Sequence, residues 1–381
     1  MELQLEGLKK LISHSKNNTK YYKNIPNIKS LEDLNKIPVL TKYKIKKNFQ
    51  KLLAKNVPGF IVKTGGTISK STTIKDMRLK LNFGEKRFKS WYKKSLKKFC
   101  SIKGSLYTGK KPKQIGKTLY LPVESLKSRK DAINYLKLIS DFRPDWIQSY
   151  SSAIRFLAHY ALQEGIRPQV GVIQSTSETL LPEARKEIEE AFQCELFNFY
   201  GSIELGSMAQ DCQIHNELHI NAERYIVEEL DGRLLFTDLL NYVMPLIRYE
   251  NQDTGELSDK KCICGRGLPT LKKVIGRAMD FILTKKGTWV QARSGGIIKK
   301  DVFDWVEAFQ FKQEEKGEIT VFLKPWSDVK KIPKLEPLKD LLHEYYPPDE
   351  LDISIEVVDS LVLSPTGKQI RLVTNFQPWD A

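Results

Sequence analysis

Several short stretches combine residue types able to bind phosphate and nucleotide groups. Thr64-Gly65-Gly66-Thr67-Ile68-Ser69-Lys70-Ser71 is one. Glycines let a backbone approach phosphate oxygens, hydroxyls donate to them, and a lysine adds charge. The stretch is not the Gly-x4-Gly-Lys-Ser/Thr loop of the common nucleotide-binding folds. Phe199-Tyr200-Gly201-Ser202-Ile203-Glu204-Leu205-Gly206 follows an apolar run that reads as a strand. Ligands bind at the carboxyl ends of strands in α/β sheets. An aromatic ring there can stack on a base, and an acid can hold Mg²⁺. Thr237-Asp238, then Met244-Pro245-Leu246-Ile247-Arg248-Tyr249 and Asp253, form a third stretch. Gly276-Arg277-Ala278-Met279-Asp280 is a fourth, and Ser364-Pro365-Thr366-Gly367-Lys368-Gln369-Ile370-Arg371 a fifth.

The cysteines suggest a metal. Cys212 and His215 stand as C-x2-H, and Cys262 and Cys264 as C-x-C. The two pairs can supply four soft or borderline ligands to Zn²⁺. His219 competes with His215 for the fourth place. With every position filled by protein, such a site is structural rather than catalytic. Cys100 and Cys194 lie in apolar contexts and read as core. Five cysteines in 381 residues are too few for a disulfide scaffold, so a reducing cytoplasm is expected.

The elements that must position these residues follow from periodicity. Residues 5–16 and 30–53 read as short helices, with Thr41 as an N-cap. Residues 59–75 read as a strand and a loop. Residues 85–99 place Phe88, Trp91, Tyr92, Leu96 and Phe99 at helical spacing with lysines between, an amphipathic helix with a basic outer face. Residues 130–202 alternate helix and strand, which argues for an α/β protein with largely parallel sheets. Residues 217–250 read as antiparallel strands around the Asp231-Gly232 turn. After Gly276-Arg277 the pattern becomes a small α+β unit. The expected division is 1–280 and 281–381, with the boundary at Asp280.

Charge is unevenly placed. Residues 42–117 hold 23 Lys and Arg against Asp76 and Glu85, in a chain whose total is +16, so the remainder is net acidic. Such a field attracts polyanions: nucleotide phosphates, coenzyme A, an acidic protein or nucleic acid. A nucleic-acid-binding zinc module is the competing class. Against it, the cysteines lie outside the basic segment and match no C2H2 finger spacing. Apolar runs fall far short of the roughly 20 residues that span a bilayer, so no membrane role is expected. The first residues lack a signal-peptide core.

Taken in their fixed order, the stretches resemble the adenylate-forming superfamily, in its phenylacetate–CoA ligase-like and capsule-biosynthesis branch. The family's T-S-G-[ST]-T-G-K-P is similar to residues 64–71, and its Y-G-x-T-E-x-G to residues 200–206. The branch's T-D-L-x-N-x-x-M-P-L-I-R-Y-x-T-G-D is similar to 237–253, the most specific match. Its G-R-x-x-D is similar to 276–280, and its terminal P-x-x-x-G-K-x-R to the region of Lys368. The resemblance spans about residues 5 to 375. It implies a large N-terminal domain, a small mobile C-terminal domain and ATP-dependent formation of an acyl-AMP. Transfer to a thiol or an amine would follow.

The roles it implies are these. Tyr200 would stack on adenine, and Asp253, helped by Arg277, would hold the ribose. Glu204 would bind Mg²⁺. Lys70 and the hydroxyls of Thr64 and Thr67, with Gly65 and Gly66, would clasp the outer phosphates. Ser177, Glu178, Gly201 and Ser202 would complete the nucleotide site. Lys368 would neutralise charge as the carboxylate attacks, and Asp280 would be the hinge. By position between the motifs, Trp146, Gln148, Tyr150, Ser151, Ser175 and Ser177 would surround the acyl group. Coenzyme A or an acidic carrier protein would use the basic face. Cysteines at similar places in relatives add to the zinc reading. The chain departs from the family at Ile68, Ser69, Ile203, Asn251 and Gln252. The loop change, with Ser69 at the position of the family's second glycine, is compatible with slow adenylation or a degenerate, non-catalytic homologue.

Overall fold

The computed structural model describes residues 2–63, 73–76, 83–92, 96–277, 281–292, 305–364 and 367–376. The first helix, α1 (Glu2–Asn18), buries Leu8, Leu11, Ile12 and Ser15, a stripe at helical spacing. In α2 (Lys42–Leu52) the Thr41 side chain accepts from the Lys44 amide, the expected N-cap. A hairpin of β1 (Phe60–Lys63) and β2 (Thr73–Asp76) follows, then α3 (Phe83–Tyr92). The helix expected over 85–99 therefore stops short, because Phe99 opens a strand. Its backbone pairs with strands on both sides, which outweighs the helical spacing of one aromatic residue.

The central sheet is built next. Its strands are β3 (Phe99–Lys103), β4 (Lys113–Ile115), β5 (Thr118–Pro122), β6 (Trp146–Ser149), β7 (Val172–Thr176) and β8 (Leu196–Ser202). It continues through β9 (Gly206–Asp211), β10 (Leu218–Ile220), β11 (Tyr225–Leu230), β12 (Arg233–Asp238), β13 (Tyr249–Leu257) and β14 (Thr270–Arg277). The order across the sheet is β11-β12-β13-β14-β10-β9-β8-β7-β6-β3-β5-β4. Strands β5, β3, β6, β7 and β8 are mutually parallel. The flank from β9 to β11 is antiparallel.

Helices α4 (Ser105–Thr108), α5 (Arg129–Phe142), α6 (Ser151–Gln163) and α7 (Pro182–Phe192) connect the parallel strands. Helices α5, α6 and α7 bury Leu136, Ile139, Leu157 and Ile188 with Ile102, Ile147 and Ile173 on one sheet face. On the other face Phe88 of α3 packs with Trp146, Val172, Phe197 and Phe199. Successive strand residues face opposite sides, so one strand feeds both cores. The antiparallel flank and α1 share a third core around Leu8, Phe236 and Tyr249.

The C-terminal part holds a two-stranded ribbon, β15 (Phe281–Leu283) and β16 (Trp289–Gln291). It also holds β17 (Val306–Gln313), β18 (Glu318–Pro325), α8 (Glu336–Tyr345), β19 (Asp352–Val357) and β20 (Leu372–Thr374). The four longer-range strands order as β19-β18-β17-β20. Among the described residues their core runs from Ile282 to Leu372. Trp326 instead leaves this unit and stacks on His159 of α6, ring centroids 3.6 Å apart. Asp280, the expected boundary, lies outside the described residues.

Candidate active site

The carboxyl ends of β6, β7 and β8 lie side by side because the three strands run parallel. The turn after β8 is tight. A Cβ on Gly201 would sit 2.5 Å from the Gly206 carbonyl oxygen, so the close approach requires glycine. Ser202 closes the turn by accepting the Leu205 amide at 3.1 Å. Gly201→Ala should therefore destabilise the fold by about 1–3 kcal/mol, an overpacking cost. Thermal unfolding checks this; an unchanged midpoint would contradict the close approach.

The turn presents Tyr200 and Glu204. The Tyr200 hydroxyl donates to Asp253 Oδ2 at 2.6 Å. Asn251 Nδ2 donates to the same hydroxyl at 2.8 Å and to Asp253 Oδ2 at 2.6 Å. Burial first, and then the Asp253 carboxylate, push the Tyr200 phenol well above its usual range. It stays a neutral donor. Asn251, a departure from the family's Thr-Gly, thus braces both residues. Glu204 is buried, with the Tyr249 hydroxyl at 3.4 Å and Lys42 Nζ at 3.5 Å. Neither Lys42 nor Asn251 was among the candidates that sequence reasoning selected.

Much of the 237–253 stretch is architectural. Arg224 and Asp238 form a buried bidentate pair at 2.9 and 3.0 Å. The Arg248 amide donates to Thr237 Oγ1, its guanidinium to Glu228 and to the Ile37 carbonyl. These contacts seat β13 against β12 and the N-terminal segment. In the β13–β14 register Asp253 stands opposite Arg277, of which only the backbone is described.

Lys368, from the C-terminal part, stands by Tyr150 at the carboxyl end of β6. Its turn is closed by the Ser364 amide donating to the Lys368 carbonyl and the Lys368 amide to Ser364 Oγ. Gly367 has φ +73°. Lys368 Nζ stands 5.8 Å from the Tyr150 ring centre. Glu178, expected among nucleotide ligands, has both oxygens on backbone amides: Oε2 on Ser152 at 2.8 Å and Oε1 on Gln369 at 3.1 Å. It caps α6 with one oxygen and fixes the Lys368 turn with the other. Ser177 adopts φ 71°, an uncommon conformation for a non-glycine residue beside a site.

The expected acyl-group residues divide between the two sheet faces. Gln148 pairs across the strands with Gln174, and Ser149 with Ser175. Ile147 and Ile173 belong to the core under α6, so Ser175 shares that face and Gln148 the opposite one. Ser151 is buried at the start of α6, and Trp146 packs under α3. Thr64, Gly65, Gly66, Thr67 and Lys70 lie outside the described residues.

The cysteine cluster forms, with one change. The ligand atoms of Cys212, His219, Cys262 and Cys264 all lie within 4.8 Å of one another and could hold a metal ion. Cys212 Sγ is 3.8 Å from Cys262 Sγ, and Cys264 Sγ is 3.4 Å from His219 Nε2. His215, the first choice from spacing, is engaged elsewhere: its Nδ1 lies 2.9 Å from Asp211 Oδ2. Strand geometry explains the change. His219 sits on β10, paired with Gln210 and Thr270, while His215 lies in the preceding turn. Among the described residues no helix is long and apolar enough to cross a membrane.

No protein-family model matches the chain. The protein CapK of Staphylococcus aureus is 25% identical, over 99% of this chain and 89% of its own length. A phenylacetate–coenzyme A ligase of Thermus thermophilus is 26% identical over 39% of this chain and 37% of its own. Among solved structures, 2-hydroxyisobutyryl-CoA ligase in the postadenylation state matches with TM-score 0.76 at 14% identity, over 98% of this chain and 89% of that one. An open conformation of the same ligase matches with TM-score 0.60. The chain thus has the fold of these solved ligases, and in sequence it is similar to CapK and, over part of its length, to the phenylacetate–coenzyme A ligase.

Proposed function

We propose that the chain activates a small carboxylic acid with ATP and passes the acyl group to a thiol. A carboxylate oxygen attacks the α-phosphorus, the bond to pyrophosphate breaks, and acyl-AMP forms. The thiolate then attacks the acyl carbon, and AMP departs with the carboxylate oxygen. The relatives support this, being named as a coenzyme A ligase and as a ligase in complex with an acyl-AMP. The observation that carries it is the Lys368 turn, tied through Glu178 to α6 at the carboxyl ends of the parallel strands. A cation there offsets charge that builds as the carboxylate attacks.

In this reading Asp253 accepts the ribose hydroxyls, with Tyr200 and Arg277 beside it. Lys70 and the Thr64–Thr67 segment hold the outer phosphates. Glu204 is the carboxylate for Mg²⁺, which when bound shields the phosphate charge. Gly201, Ser202 and Ser177 supply the close backbone approach. Residues 281–381 turn about Asp280 between the two half-reactions. Coenzyme A, or a phosphopantetheine on an acidic carrier protein, meets the basic 42–117 face. The setting is the cytoplasm, where both thiols occur.

The metal in the cysteine cluster is zinc and structural. Zinc–sulfur and zinc–nitrogen bonds of about 2.0–2.3 Å give tetrahedral edges of roughly 3.4–3.8 Å. The observed 3.8 and 3.4 Å separations fit that figure. A disulfide would require sulfurs at about 2.05 Å. The cluster joins β9, β10 and the β13–β14 turn, which fixes the flank bearing Asp253.

The first test is nucleotide binding. Asp253→Ala should weaken binding of a non-hydrolysable ATP analogue by about 1.5–3 kcal/mol, the cost of losing hydrogen bonds to a charged acceptor. An unchanged Kd in isothermal titration would remove Asp253 from the ribose site. A panel of carboxylic acids should then reveal one that drives pyrophosphate release.

A further inference from the structure

On the sheet face opposite α6, a lysine that the nucleotide chemistry does not use enters the acyl site. Lys103 ends β3, and its Nζ donates to Gln148 Oε1. Gln148 Nε2 donates in turn to Gln174 Oε1, and Gln174 is buried. The three side chains form a polar row across β3, β6 and β7, where an apolar acyl group would want apolar neighbours. On the same face Gln210, opposite Phe199 on β9, is wholly buried, and neither side-chain amide atom has a hydrogen-bond partner among the described residues.

No carboxylate among the described residues pairs with Lys103. Two acids that act on Tyr150, Glu124 and Glu178, are committed elsewhere. Glu124 accepts the Ser105 amide and hydroxyl, and Glu178 the amides of Ser152 and Gln369. Among the described residues Lys368 is the charged group that acts on it, and like charges repel. Burial, and then Lys368, bring the Lys103 ammonium down to about 8. A partly buried cation without a counter-ion is costly, and an anion from the ligand removes that cost. The carboxylate being activated already has Lys368. The row leading from Lys103 to Gln174 runs across the strands toward β7.

We infer that Lys103 selects the substrate class: acids that carry a second anionic group, held by Lys103 and the Gln148–Gln174 row while the first carboxylate is activated. This inference rests on the proposed ligase function for its context, but its test reads binding separately from catalysis.

The experiment compares malonate, succinate, glutarate and adipate with their monoamides, which keep the length and lose one charge. Isothermal titration with AMP present gives the ratio of affinities for each pair. In the parent protein, at least one diacid should bind about tenfold or more tighter than its monoamide, the worth of a charge-assisted hydrogen bond. In Lys103→Met the ratio should fall to about one. Lys103→Arg should restore part of it. Equal affinities within every pair in the parent protein overturn the inference whatever the variants do. So does an unchanged ratio in a Lys103→Met protein that still binds the ATP analogue. Failure of every acid to release pyrophosphate would sink the ligase reading, while the affinity ratio would still decide this one.

Discussion

Replacing Lys368 by alanine is expected to cut acyl-AMP formation by about 10²–10³, the loss typical of deleting one preorganised donor at a developing charge. The side chain stands 5.8 Å from the Tyr150 ring centre, at the carboxyl ends of β6 and β7. The turn that carries it is held by bonds to backbone groups, which a change of side chain leaves in place. Ser364 closes the turn, and Glu178 holds the Gln369 amide. The alanine variant should therefore keep the fold and the affinity for an ATP analogue while losing the chemical step. A fall in rate with unchanged nucleotide affinity identifies an interaction that matters in the transition state. Pyrophosphate release close to the parent's would remove Lys368 from the mechanism. A variant that loses nucleotide binding and rate together would mean that it acts in binding instead.

Removal of the metal should have the largest effect on stability. Four donors within 4.8 Å of one another would, around a metal ion, tie together β9, β10 and the turn between β13 and β14. Binding free energies at structural zinc sites of this kind are about 10–16 kcal/mol in small peptides, and binding is coupled to folding. Purified protein should carry about one zinc per chain, and a strong chelator should lower its unfolding temperature. His219→Ala should lose the metal and His215→Ala should keep it, a contrast that spacing alone does not provide. Retention in His219→Ala and loss in His215→Ala would reverse the assignment. Adenylation below the lowered unfolding temperature should persist, because protein ligands would fill all four positions of the tetrahedron.

The residues and the structure agree where the signal is local. Asp231 and Gly232 both have positive φ, and the strands on either side pair in register, as the turn chemistry requires. The alternation over 130–202 yields α5 to α7 with their parallel strands. Agreement fails where register or distant contacts decide. His215 and His219 are equally good ligands by type, and only the pairing of β10 separates them. Asn251 counts as a departure from a motif until its bonds to Tyr200 and Asp253 are seen. Lys103 is one lysine in a lysine-rich segment. Its meaning depends on Gln148 and Gln174, 45 and 26 residues further along the chain in successive steps. Lys42 meets Glu204 only because α2 folds back beside the β8–β9 turn.

The central claim is that a carboxylate oxygen attacks the α-phosphorus of ATP. It is tested most directly by following that oxygen. An acid identified in the panel is labelled with oxygen-18 in its carboxylate and turned over with ATP and a thiol. Mass spectrometry of the products then locates the label. The account predicts one labelled oxygen in AMP, pyrophosphate without label, and a thioester retaining the other. Label in orthophosphate, with ADP as the nucleotide product, would contradict it, because the attack would then have fallen on the terminal phosphorus.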